Sequence, residues 1–384
     1  MDRYLIFLFN PVIGLVNSLK INKWENLKNI LWLFVIWFGI TFAIDQETIR
    51  SDQARYFKQL EEYYSFDWSF LEAIENYEFR EQGDLARHFL LWGVSQFTDS
   101  GYVFLIIVSI ILGYLYASNI VYVLLLLKNQ TSVLNWYLLL LIISLFFAVP
   151  LDNLVGVRFI NASHLCLYGL LPWLFERKTN RLWAILLSPI IFHFALWIFV
   201  AIIILSYILC RLLNRFPKLV LLIFVLTCLK SGLFQDQILN IVESESNLLF
   251  EQEFIHDKTS TYWADQGKIQ RDDGGGESVA RNWYADLYRP ALRWTVNVLI
   301  LIIAIQTIIF KRNYALRNIY FQPLLVIMLI ISFINSLDGL QGIGRFYSIL
   351  SFIGLSFILL YSLYVENKTV EYHLKWLWPA LLLF

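Results

Sequence analysis

Charge is what this sequence has least of. Asp, Glu, Lys and Arg together make 16% of its 384 residues, where a soluble globular protein carries about 25%. Apolar residues fill the gap at 58%, and mean hydropathy is +0.60. These proportions exclude a disordered chain, a nucleic-acid-binding domain and a cytosolic enzyme. Cysteine is scarce too. Cys166, Cys210 and Cys228 each lie in or at the end of an apolar run, and no CxxC is present. That spacing supports neither a disulfide framework nor a metal centre, so the three read as small core-lining residues. Walker loops, a GxGxxG strand–helix unit and internal repeats are all missing. Residues 1–16 are apolar but lack a basic n-region and a small-residue cleavage site, so a cleaved signal peptide is not expected.

Long apolar runs are what the chain has instead. A membrane helix needs about 20 apolar residues. The runs over 30–44, 103–127, 134–150, 159–175, 219–233, 294–310, 321–337 and 346–364 contain at most isolated polar residues. The run over 4–16 is short for a span, and that over 377–384 begins as the sequence stops. Residues 182–209 are long for one span and contain Pro189, which breaks a helix behind itself. This stretch, 182–210, predicts a broken or re-entrant helix pair. Non-helical backbone at membrane depth survives only beside protein or water, so the break near Pro189–His193 is expected to line an internal cavity.

Net charge is zero, 30 basic against 30 acidic residues. The signs are not mixed along the chain. Short connections hold fifteen basic residues, among them Lys28, Lys128, Arg177, Lys178, Arg181, Lys311 and Lys375, against four acidic ones. The long connection 45–99 has twelve acidic and five basic residues, and 234–292 has eleven and five. Retention of Lys and Arg on the cytoplasmic side puts the short loops inside and both long loops outside. The first long loop is expected to carry amphipathic helices, since 52–64, 70–77 and 86–97 repeat apolar residues at three-to-four spacing. In the second, Asp272-Asp273-Gly274-Gly275-Gly276-Glu277 marks a turn without the EF-hand spacing, so no metal is read there. The fold expected is all-α: one polytopic membrane domain over 1–384, of about 10–12 transmembrane helices.

Charges left at membrane depth are costly and face a cavity or partner. Arg158 and Arg345 each precede Phe at the outer mouth of an apolar helix. Guanidinium forks onto phosphate and keeps its charge, so the pair suits a diphosphate; snorkelling or pairing with Asp152 and Asp338 would suit them equally. His193, beside the helix break, suits proton transfer or donation to phosphate, or plain core packing. His88 and His164 rank behind it, and His256 and His373 read as exposed loop residues. Asp52, Arg55 and Tyr56 share one helical turn, and Asp84 and Arg87 come shortly before and within the next helix. Carboxylates there suit the activation of a sugar hydroxyl, although a solvated acidic face has the same composition. Tyr63 belongs to an aromatic set, with Trp68 and Tyr77, that suits either sugar stacking or a membrane interface.

Three stretches carry a resemblance. They are Ser51-Asp52-Gln53-Ala54-Arg55-Tyr56 followed by Gly83-Asp84-Leu85; Val157-Arg158-Phe159-Ile160-Asn161-Ala162 leading to Phe192-His193-Phe194; and Gly344-Arg345-Phe346. In that order, over about residues 1–365, the chain resembles the Wzy/EpsG-type polysaccharide polymerases. It has Leu85 where the family often has proline. The resemblance implies a GT-C-like helical fold in the bacterial inner membrane. It also implies glycosyl transfer between undecaprenyl-diphosphate-linked repeat units, building O-antigen, capsule or exopolysaccharide. In that scheme Arg158 and Arg345 bind the diphosphate, and Asp52, Asp84 and His193 are the catalytic candidates. Arg55, Tyr56 and Arg87 contact sugar. Neither cofactor nor metal is required if the arginines supply positive charge, and a chain-length regulator is a possible partner. An O-antigen-ligase-like transferase and a transporter or flippase of lipid-linked glycan are the alternatives.

Overall fold

The structure, a computed structural model, describes residues 3–20, 24, 26–41, 52–66, 68–72, 85–129, 136–148, 159–193, 196–216, 296, 326–327 and 346–364. Among the described residues every regular element is helical and no strand occurs. In chain order these are α1 (Arg3–Phe9), α2 (Pro11–Ser18), α3 (Leu27–Thr41), α4 (Asp52–Phe66), α5 (Leu85–Ser95), α6 (Gly101–Lys128), α7 (Trp136–Ala148), α8 (Phe159–Glu176) and α9 (Leu182–Leu187). A π-helical turn (Ser188–Phe192), α10 (Leu196–Arg215) and α11 (Phe346–Tyr364) follow. One described helix, α6, is long and apolar enough to cross a membrane by length and composition, with mean hydropathy 2.2. Shorter apolar helices occupy Leu27–Thr41, Leu182–Phe192, Leu196–Cys210 and Ile349–Leu360.

The chain divides into two compact units, Met1–Val200 with Leu355–Asn367, and Ala201–Gly354 with Lys368–Phe384. In the second, the described part of 201–215 is helical; Cys210 is buried, and Ser206 Oγ donates back to the Ile203 carbonyl at 2.6 Å. The side-chain networks described below all belong to the first.

In that first unit, α6 is the central post. It packs on α3 through small residues: a Cβ on Gly39 would lie 2.7 Å from Ser109 Cβ, and one on Gly113 would lie 2.8 Å from Val35 Cγ1. Small residues let helix backbones approach closely, which strengthens dispersion contact between apolar faces. Gly39 meeting Ser109 and Val35 meeting Gly113 fixes the pair as antiparallel. Trp32 then donates its indole N–H to the Ile110 carbonyl at 2.8 Å and locks the register. On another side, Tyr116 donates to the Phe146 carbonyl of α7 at 3.0 Å. Asn119 donates to the His164 carbonyl of α8 at 2.8 Å.

Helices α8 and α9 form a hairpin. Arg177 takes a left-handed φ of 57° and closes α8, donating to the Trp173 carbonyl at 3.2 Å. The returning chain lies so close that a Cβ on Gly169 would be 2.5 Å from the Arg181 carbonyl oxygen. Pro189 then changes the helix. It has no N–H to give the Ile185 carbonyl, and the Ser188 hydroxyl donates to that carbonyl instead, at 2.9 Å. The chain winds through Ser188–Phe192 as a π turn, closed by a long bond from His193 N–H to the Ser188 carbonyl at 3.3 Å. At His193 the backbone becomes extended (φ −160°, ψ 113°), and helix resumes at Leu196.

Candidate functional site

Helices α4 and α5 pack against each other and against α6, and α5 also touches the π turn. Aromatic residues hold this layer together. Phe70 meets Phe89 and Trp92 edge-on at 6.0 and 5.4 Å, and Trp92 donates its indole N–H to the Trp68 carbonyl at 3.1 Å. Between them, Ser69 and Glu72 form a reciprocal cap. The Ser69 N–H and hydroxyl donate to Glu72 Oε2 at 2.9 and 2.7 Å, and Glu72 N–H returns to Ser69 Oγ at 3.4 Å. Those bonds to Ser69 hold the Glu72 carboxyl below its ordinary range.

The same layer buries a chain of three polar side chains. Arg87 is 3% exposed and His88 is fully buried. An Arg87 Nη2 arm lies 2.9 Å from His88 Nε2, and His88 Nδ1 lies 2.7 Å from the Tyr63 hydroxyl of α4. Guanidinium has donors only. His88 Nε2 is therefore the acceptor and carries no proton. The ring keeps its single N–H on Nδ1 and donates it to Tyr63, an assignment that follows from donor count. His88 is thus neutral: it orients Arg87 without cancelling its charge. Burial pushes the Tyr63 phenol up to about 12, against the opposing pull of Arg87, with Glu62 adding to the rise.

A planar, permanently charged fork held in place under protein cover is suited to carboxylate or phosphate oxygens. It meets such a group with little reorganisation, the condition under which electrostatic stabilisation of a departing anion is largest. Among the described residues, no group of three or more His, Cys, Asp or Glu side chains could hold a metal ion.

The remaining candidates distribute as follows. Asp52 and Arg55 lie in the first turn of α4. Tyr56, one residue on, is 2% exposed and sits edge-on to Phe104 of α6 at 6.1 Å. His193 ends the π turn, half-buried, with the Phe159 ring edge-on at 5.6 Å. Asp84, Arg158 and Arg345 lie outside the described residues, as does the connection 234–292; Phe159 and Phe346, which follow the two arginines, open α8 and α11. Of the predicted site residues, Arg87 is seen in a polar network. Its partners were weak signals: His88 is adjacent in sequence, but Tyr63 arrives from another helix.

A second buried polar seam joins α6 and α8. His164 is fully buried, edge-on to Tyr116 at 5.2 Å, with Nδ1 3.3 Å from Asn119 Nδ2. Its Nε2 has no hydrogen-bond partner among the described residues. Cys166, two residues on in α8, is a free, buried thiol.

Compared with protein-family models, with curated proteins and with solved structures, the chain finds no match.

Proposed function

We propose that this chain is a multi-pass enzyme of the bacterial inner membrane that polymerises undecaprenyl-diphosphate-linked oligosaccharide repeat units into surface polysaccharide. The observation that carries this reading is the buried Arg87–His88–Tyr63 chain, whose arginine and histidine lie on the helix that touches the π turn. A charged fork under protein cover, next to broken helical backbone, is an arrangement for an anionic substrate group. The apolar runs, the segregated charge and the resemblance to Wzy/EpsG-type polymerases support the rest, including about 10–12 spans on a GT-C-like plan.

In this reading the growing glycan on its lipid diphosphate is the donor. The bond from its reducing-end anomeric carbon to the diphosphate oxygen breaks. A hydroxyl of a new lipid-linked repeat unit forms a bond to that carbon, and its proton passes to Asp52 or Asp84. Undecaprenyl diphosphate departs with the electron pair of the broken bond, which adds one negative charge to the two its phosphates already carried. Arg158 and Arg345 stabilise that charge, Arg87 lies nearer the sugars, and His193 binds the diphosphate or carries a proton. Lipid tails enter sideways between helices.

The test is to incubate the purified protein with a defined lipid-linked repeat unit. A ladder of products is the expected result, abolished by Arg158→Ala or Arg345→Ala in protein that still inserts. Loss of one lipid carrier without a ladder identifies a ligase instead. Neither product, with glycan uptake in vesicles, identifies a transporter. Asp52→Asn and Asp84→Asn variants that both keep full activity would remove the two candidate bases.

A further inference from the structure

Away from the α4–α5 layer, a second set of cations gathers around α6. Lys28, at the start of α3, places Nζ 3.7 Å from the centre of the Tyr114 ring. Arg181, leading into α9, places its guanidinium carbon 4.3 Å from the centre of the Tyr168 ring of α8. Tyr168 and Arg181 both act on the Tyr114 phenol, so the two cation–aromatic pairs form one cluster drawn from four segments of the chain. Lys28, Tyr168 and Arg181 are half-buried, and Tyr114 is 38% exposed, so the cluster is open to its surroundings.

Neither Lys28 nor Arg181 forms an ion pair among the described residues. The nearby acid, Glu176, is already engaged: it accepts from the Tyr122 hydroxyl at 2.7 Å and pairs with Lys178 at 2.9 Å. A ring face attracts a cation without using up its N–H donors, three on Lys and five on Arg. Two positioned cations, each with donors to spare, face the surroundings beside two phenols.

We infer that Lys28, Arg181, Tyr114 and Tyr168 form a binding site for the phosphate of an anionic phospholipid headgroup. Basic pockets between helices on the cytoplasmic side of membrane proteins have this chemistry, and the short basic connections that supply Lys28 and Arg181 are the ones that topology puts inside. The inference rests on the membrane reading of the chain and is independent of glycosyl transfer. The headgroup phosphate accepts from Lys28 and from the Arg181 fork, and the tyrosine faces keep both cations from swinging away.

The full chain is reconstituted in phosphatidylcholine nanodiscs with or without phosphatidylglycerol, and the thermal midpoint and retained lipid are measured. Phosphatidylglycerol is expected to raise the midpoint and to be retained through delipidation. Lys28→Ala and Arg181→Ala should each weaken that retention about fivefold, and the double variant should abolish the midpoint rise. Lys28→Arg and Lys58→Ala, the latter an exposed cation paired with Glu62 at 3.9 Å, should leave it intact. An equal phosphatidylglycerol effect in wild type and double variant overturns the site. Stabilisation by inorganic phosphate alone, with no preference for phosphatidylglycerol, overturns the lipid source. Product ladders are not read in this experiment, so its failure leaves the polymerase reading to its own test.

Discussion

Arg87 and Arg181 belong to the same compact unit and have opposite surroundings. Arg87 is almost wholly buried and gives an arm to a neutral imidazole. Arg181 is half-buried and rests on a tyrosine face. Burial lowers the local dielectric, so the charge of Arg87 acts strongly over a short range and is little affected by salt. Arg181 stays in reach of solvent ions and keeps its donors for whatever lies at the surface. A guanidinium is made chemical or adhesive by its neighbours. A hydrogen-bonding partner fixes the plane of the fork, whereas a ring face fixes only its position.

The sharpest way to break this contrast is Arg87→Ala. Product ladders should fall about 10- to 100-fold, the cost of losing a charged hydrogen bond to the sugars. Arg87→Lys should not restore them, because an ammonium cannot reproduce the fork. Normal ladders from the alanine variant would make Arg87 a structural residue. Next in size is Gly169→Ala, which places a methyl against the Arg181 carbonyl. Overpacking there should cost about 1–3 kcal/mol in a denaturation experiment and weaken phosphatidylglycerol retention by shifting Arg181. Gly93, in α5, has nothing within 4 Å of its would-be Cβ, and Gly93→Ala should instead gain about 0.4–1 kcal/mol.

Tyr63→Phe tests the buried chain more gently, at about 0.5–1.5 kcal/mol. It also has a pH signature. The phenol of Tyr63 is raised in the folded state from its ordinary 10 to about 12. The folded protein therefore holds that proton more tightly, and stability is lost as pH rises from about 10 to about 12. The phenylalanine variant should lose that alkaline slope. The smallest effect is expected at the exposed cap. Glu72 is held below its usual range by Ser69, so its contribution is present above that range and fades as pH falls through the folded value. Glu72→Gln should flatten that acid limb and leave the alkaline one unchanged. A ladder assay at neutral pH should not distinguish it from wild type.

Much of the helical layout was legible because it is local. Apolar runs over 103–127, 159–175 and 346–364 coincide with α6, α8 and α11, and three-to-four spacing located α4 and α5. The Ser69–Glu72 cap is the S-x-x-E pattern written out in the sequence. What escaped was non-local. Tyr63 and His88 are 25 residues apart on different helices, and Asn119 and His164 are 45 apart. No period or motif announces such pairs, because each depends on how two helix faces meet. The contact of Tyr56 with Phe104 of α6 is non-local in the same way.

The π turn has a rotational consequence. Successive residues of an α-helix advance by about 100° around the axis, and a π turn spends an extra residue on its revolution. The stripe that α9 presses against Gly169 is therefore out of phase beyond Phe192. A helix continuing from there would present the wrong side to α8 at every later turn. Leaving helical geometry at His193 resets the phase. The histidine then marks the point where one winding ends and another begins, and any single-residue insertion or deletion between Ser188 and Phe192 would turn it to a different compass bearing.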